Sequence, residues 1–348
     1  MEMETVDELK RNWQVLRADK PKMRIRDAAA QLGVSEAGLV ATGCGGPVVR
    51  LNPDWADLFD AFKTLGRVMS LTRNEWAVHE RRGIFREVGF FHGGLMGQVV
   101  GPDIDLRLFP EQWAHVFAVR EDAATGAHGS VQIFGGDGMA MLKVFLQPES
   151  DRGAFDALIA ELRSDDQSPS LAILPVEPTK PEIPDAEVDV EGLRAGWKGL
   201  EDTHQFFGLL KRFHVSRTQA LRLAGGEFAV PVQTNAAMSV LENASNGKLP
   251  IMIFVGNRGC IQIHTGEVIR IQPFADWINV LDPDFNLHLC KTGIDSAWLV
   301  RKPTTDGVVT SVELYDAAGE NIALFFGRRK PGDPEDPNWR KLAESLAA

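Results

Sequence analysis

Of the eight histidines in this 348-residue chain, His204, in the stretch DTHQFFGLLKRF, has the neighbours best suited to chemistry. Placed on a helix, it shares a face with Phe207, Gly208 and Lys211, at i+3, i+4 and i+7. A glycine one turn from an imidazole lets a flat ligand lie close to the helix backbone. Phe206, Phe207 and Phe213 add apolar surface, and Arg212 and Arg217 bring cations nearby. An ordinary packed or half-exposed histidine has the same neighbours, so the residues alone leave both readings open. Other signatures are missing. No HExxH, GxSxG or CxxC occurs, so a zinc protease, an α/β hydrolase and a thiol-redox enzyme lack their motifs. GCGG (Gly43 to Gly46) and GGDG (Gly135 to Gly138) lack the spacing and strand-to-helix context of a nucleotide loop and read as turns. Cys44, Cys260 and Cys290 form no close pair and no zinc spacing, and reduced, buried thiols are expected.

The elements that would carry these residues are written twice. Val34-Ser35 recurs as Val215-Ser216 and Ser130-Val131 as Ser311-Val312, both at an offset of 181, while Asn74 aligns with Asn257 at 183. A tandem duplication of one module of about 170 residues explains the offsets, with a two-residue loop insertion. Each copy opens with a short helix around Trp13 or Trp197 and a helical pair. Strand-length apolar runs follow, RVMSLTR to AMLKVFL in the first copy and IMIFVGN to NIALFFG in the second. Short turns without alternating helices predict antiparallel meanders with helices gathered at one end, an α+β class. Five prolines and seven acids between Ser164 and Val190 mark a connector. The expected division is a first repeat at 1–165, a linker at 166–189 and a second repeat at 190–348. The copies are chemically asymmetric, because an offset of 181 maps Met23 onto His204 and Arg107 onto His288.

A net charge of −11 argues against nonspecific attraction to nucleic acid or anionic lipid. LGVSEAGLV (Leu32 to Val40) has the look of a helix-turn-helix, yet it offers Ser35, Glu36, Ala37 and Gly38 where a recognition helix needs Arg, Lys, Asn or Gln. Arg217, Gln219 and Arg222 of the second copy suit that role better, so DNA binding stays as a remote alternative. The start is polar and acidic, and nowhere do eighteen apolar residues run together. A cytoplasmic protein without stable membrane insertion is expected.

The strings DTHQFFGLLKRFHVSRTQALRLAG, LPIMIFVGNRGCIQIHTG and WINVLDPDFNLHL are joined in the first copy by LTRNEWAVHERRG and IDLRLFPEQWAHVFAV. Over nearly the whole chain this resembles the bacterial hemin-utilisation proteins variously called HemS, ChuS or HmuS. The resemblance implies a cytoplasmic protein that takes up imported heme, and some family members degrade heme to release iron. It implies His204 as the axial ligand to heme iron. It implies Arg107, in IDLRLF, as the distal and candidate catalytic group, with heme held between the two copies. Arg217, Lys302 and Arg329 match basic positions at the heme edge and propionates, and Phe254 matches an aromatic wall. Phe326 stands where several relatives have tyrosine, and Thr203 and Gln205 flank His204 where some carry extra histidines. Two functions stay open, a heme carrier and a heme-degrading oxygenase. Candidate protein partners are a heme acceptor and an electron-donating reductase.

Overall fold

Each repeat runs through the same succession of elements, and the computed structural model describes residues 5–120, 129–176, 181–330 and 332–347. The first repeat has α1 (Val6–Asp19), α2 (Ile25–Gln31), α3 (Glu36–Ala41), β1 (Val48–Leu51), α4 (Trp55–Thr64) and β2 (Val68–Arg73). It continues with β3 (Ala77–Gly83), β4 (Glu87–Phe91), β5 (Met96–Val100), β6 (Leu106–Leu108), β7 (His115–Val119), β8 (Ser130–Phe134), β9 (Ala140–Leu146) and α5 (Arg152–Leu162). The second repeat has α6 (Val190–Lys198), α7 (Gln205–Phe213), α8 (Arg217–Ala224), β10 (Ala229–Val232), α9 (Ala236–Asn246) and β11 (Ile251–Gly256). After these come β12 (Cys260–Gly266), β13 (Ile271–Phe274), β14 (Trp277–Leu281), β15 (Phe285–Cys290), β16 (Ser296–Thr304), β17 (Gly307–Tyr315), β18 (Asn321–Gly327) and α10 (Pro337–Glu344). The α+β class and the duplication are both present.

Helices α4, α5, α9 and α10 go beyond the expected helices. Local capping starts three of them, since Asp54, Asp151 and Asp336 each accept a main-chain N–H of the following turn. The turn Gly135 to Gly138 does join β8 to β9, whose strands pair antiparallel from Ser130 opposite Phe145 onward.

Two compact units result, and their borders do not follow the repeats throughout. Unit 1 takes Asn257–Gln262 from the second repeat, and unit 2 takes Asn74–His79 from the first. Unit 1 contains strands in the order β1-β7-β8-β9-β2 and, with the first residues of β12, a second run β12-β6-β5-β4. Unit 2 repeats this as β10-β16-β17-β18-β11 and, with the first residues of β3, β3-β15-β14-β13. In each unit one core cluster joins side chains from both runs with the helices next to them.

An asparagine fastens each exchanged segment. In unit 1 the Asn257 amide donates to the carbonyls of Arg73 and Met141, both at 2.9 Å, and its oxygen accepts the N–H groups of Gly259 and Cys260. In unit 2 Asn74 donates to Gly256 O at 3.1 Å and Ile322 O at 2.8 Å and accepts from Trp76 and Ala77. A large-on-small contact completes each segment with the partners reversed. A Cβ on Gly259 would lie 2.6 Å from Trp113 Nε1, whereas in unit 2 the indole is Trp76 and the glycine is Gly293.

The linker is divided between the units too. Residues 164–174 strap unit 1 through Arg50, which donates to Asp166 and to the carbonyls of Ser168 and Ser170, and Gln167 bonds its main chain. Residues 181–189 lie along α8 in unit 2, where Glu182 accepts from Ser216 and Arg222. The linker residues 177–180 lie outside the described residues.

Asn257→Ala removes a side chain that satisfies four half-buried main-chain groups of unit 1. The expected loss is about 3 kcal/mol, read as a lower urea midpoint with an unchanged slope. An unchanged midpoint would show that the amide is dispensable.

Candidate functional site

Helix α7 presents two unlike faces. Phe206, Leu209 and Leu210 are buried, while His204, Phe207, Gly208 and Lys211 are all exposed. The spacing put His204, Phe207, Gly208 and Lys211 on one face without marking it as the exposed one, and His204 itself stands at the N-cap, just before the first helical residue. Its side chain is 89% exposed and Phe207 is 75% exposed. Nothing lies within 4 Å of where a Gly208 side chain would begin, so a flat apolar shelf borders the imidazole.

Asp202 fixes that imidazole. Its Oδ1 accepts the His204 backbone N–H at 2.7 Å and lies 2.6 Å from ring Nδ1. An ionised carboxylate only accepts, so Nδ1 carries a proton, and the neutral form of the ring has its lone pair on Nε2. The His204 N–H holds the Asp202 carboxyl below the usual aspartate range, which keeps it ionised at neutral pH.

Beneath α7 the expected edge cations Arg217 and Lys302 converge on one carboxylate. On β16 and β17 the residues Val300, Lys302, Ser311, Glu313 and Tyr315 are buried at alternate positions facing α6 to α8, and Val300 and Tyr315 pack with those helices. Glu313 is fully buried there. It accepts two parallel bonds from Arg217, both at 2.9 Å, one from Lys302 at 2.7 Å, one from Ser311 at 2.8 Å and a further one from the Tyr315 hydroxyl. Burial alone pushes a carboxyl up, but Arg217 and then Lys302 hold Glu313 far below the usual range. Burial pushes Lys302 down to about 8, with Glu313 pulling it back up and Arg217 repelling it. Both cations also face the Phe206 ring, Lys302 Nζ at 4.7 Å and Arg217 Cζ at 5.3 Å from its centroid. The charge cluster therefore supports the first turn of the helix that follows His204.

The remaining expected residues have separate settings. Arg329 bonds Asp306 at 3.1 Å. Phe254 projects from the side of β11 opposite Ile251, Ile253 and Val255, and packs edge-on against Phe326 with ring centres 5.0 Å apart. Arg107 belongs to unit 1, on β6 opposite Ile261, and its guanidinium is paired with Asp105. Met23, the counterpart of His204, also belongs to unit 1. The helix-turn-helix alternative loses its readers. Glu36 is buried against Arg73 and Lys143, Gln219 is buried and donates to Ile183 O and Asp185, and Arg222 is held by Glu182 and Asp185.

A profile described as the haemin-degrading HemS.ChuX domain matches residues 33–162 and again 214–346. The chain belongs to this HemS/ChuX family. The hemin transport protein HemS of Yersinia enterocolitica is 39% identical over 325 residues, 93% of each chain. A structure of holo-PhuS, a heme-binding protein from Pseudomonas aeruginosa, superposes with a TM-score of 0.97 at 51% identity over 99% of each chain. The heme degrading enzyme ChuS of Escherichia coli O157:H7 superposes at 0.91 with 35% identity, over 99% of this chain and 100% of that one. Against this family background, Asp202 and Glu313 are the residues that sequence reading passed over. Glu313 left a trace, because Ser311, Glu313 and Tyr315 alternate with Val312 and Leu314 along one strand.

Glu313→Gln leaves buried Lys302 and half-buried Arg217 without a counter-charge, and a loss of about 3 kcal/mol is expected near neutral pH. An unfolded glutamate takes up protons near its ordinary value of 4.5, whereas folded Glu313 stays ionised well below it. The unfolded state therefore binds more protons under acid, and the stability that Glu313 contributes fades as pH drops through and below 4.5. Urea titrations of wild type and variant from pH 7 to pH 3 should show a narrowing gap. A gap constant across that range would contradict the ionised-pair reading.

Proposed function

We propose that this chain is a cytoplasmic heme-binding protein that holds heme after import and passes it on, with His204 as the axial ligand. The observation that carries this reading is the exposed imidazole whose Nδ1 proton is committed to Asp202, beside the open apolar shelf of Phe207 and Gly208. The donor set fits the group. Heme supplies an iron that takes an imidazole lone pair and a flat apolar macrocycle that needs a dry surface. His204 Nε2 has the lone pair, and covering the Phe207 ring is worth roughly 1.5–3 kcal/mol.

Heme also brings two carboxylates, and Arg217, Lys302 and Arg329 are the cations assigned to them. Each already holds an acidic partner, Glu313 or Asp306, so a ligand carboxylate competes with that partner. Phe254 serves as the aromatic wall. Arg107 keeps the distal assignment and would supply hydrogen bonds to a small iron ligand after exchanging some of its contact with Asp105. The names of the relatives, hemin transport protein and heme-binding protein, support the carrier reading.

A second reading, in which the porphyrin is opened, draws support from the 35% identity to a heme degrading enzyme. An electron-donating reductase would be the partner required in that case, and a heme acceptor in the first.

Hemin titration should give a Soret band that His204→Ala weakens or abolishes and that His214→Asn, at an exposed position of left-handed backbone, leaves intact. Identical spectra for wild type and His204→Ala would remove the ligand assignment. Ascorbate under air, with catalase present, then separates the two functions. A lasting Soret band favours the carrier, and its loss with iron release favours the enzyme.

A further inference from the structure

We propose that Asp202 is a positioning residue that sets the donor strength of His204 toward bound iron, so that ferric heme is held in preference to ferrous heme. This rests on His204 being the ligand. The geometry is local and specific. Oδ1 of Asp202 receives both the backbone N–H and ring Nδ1 of the residue two places on, so the same oxygen fixes where the imidazole is and which nitrogen bears its proton.

The loop that carries Asp202 is itself tied down. Glu201 N donates to Gln205 Oε1 at 2.9 Å, and Gln205 N donates to Asp202 O at 3.1 Å. The turn between β16 and β17 closes the loop from outside, where Thr305 N donates to Glu201 O at 3.0 Å. Asp202 is thus held at the imidazole by main-chain and side-chain bonds on either side of it.

A carboxylate on the far nitrogen of an imidazole draws the ring proton toward itself and leaves more electron density on the nitrogen that binds metal. A more strongly donating axial ligand stabilises the higher oxidation state. In the ligand-free chain this bond is open to water, with His204 89% and Asp202 59% exposed, and solvent screens it. A macrocycle laid along Phe207 and Gly208 displaces that water, and the carboxylate acts through a lower local dielectric. A carrier gains from this, because a preference for ferric heme keeps its load in the form that does not bind oxygen.

Asp202→Asn separates charge from shape, since an amide oxygen still accepts from Nδ1. In ligand-free full-length protein, nitrogen-15 NMR of the ring should show the Nδ1–H tautomer in wild type and in Asp202→Asn, and a tautomer mixture in Asp202→Ala. An Nε2–H ring in wild type overturns the proposal before heme is added. With hemin bound at fixed neutral pH, Asp202→Asn should weaken the preference for ferric over ferrous heme about tenfold. For one electron this is a rise in potential of about 59 mV, accompanied by a lower iron–imidazole stretching frequency. The same potential and stretch in wild type and Asp202→Asn, with the His204-dependent Soret band retained in both, overturn the role of Asp202 and leave the ligand in place. A wild-type Soret band indifferent to His204→Ala overturns the ligand assignment instead. Reduced hemin uptake by Asp202→Ala with unchanged potential and stretch shows a purely structural residue and also overturns the proposal.

Discussion

A fully buried carboxylate can stay ionised only if cations and hydrogen-bond donors surround it, and Glu313 meets that condition with Arg217, Lys302, Ser311 and Tyr315. Much of unit 2 around the site follows from this. Arg217 fixes the start of α8, Lys302 and Tyr315 fix the face of the sheet, and the Phe206 ring resting on the two cations fixes α7. The helix that follows His204 is therefore supported from below by electrostatics, which have a direction, as well as by apolar packing, which has little.

Unit 1 solves the same problem with the carboxylate on the helix and both cations on strands. Ser35 and Ser216 are matching N-caps, and the next residue is Glu36 in one copy and Arg217 in the other. Glu36 is buried between Arg73 and Lys143, so in both units one carboxylate lies against two cations. An acidic side chain suits the positive end of a helix, and a basic one does not. The second copy accepts the less favourable arrangement, and it does so at the cluster that supports the residues assigned to ligand binding.

The duplication was legible because identical dipeptides recur at a constant offset, and the antiparallel strands because strand-length apolar runs follow one another across short turns with no helix between them. That His204, Phe207, Gly208 and Lys211 share one side of α7 followed from helical spacing, whereas the exposure of that side did not. Less was visible elsewhere. Helices α4 and α9 lie between strands and do show helical spacing, Leu58, Phe59 and Phe62 in one and Ala236, Ala237, Val240, Leu241 and Ala244 in the other, but a reading tuned to strand-length apolar runs passes over them. The exchange of Asn74–His79 and Asn257–Gln262 was not visible, because strand partners are chosen by contacts far apart in sequence. Asp202 was hidden for the opposite reason, since an aspartate two residues before a histidine is an ordinary turn pattern until the ring is seen to point at it.

The exchanged segments also bear on how the chain comes into being. Unit 1 lacks a strand and its asparagine fastener until residue 262 has been synthesised, although its other strands are complete by residue 146. Growing chains generally fold their leading domain while the rest is still being made. Here the leading half must leave the ribosome unfinished, with an open strand edge, and wait for about half of the trailing half before it can close.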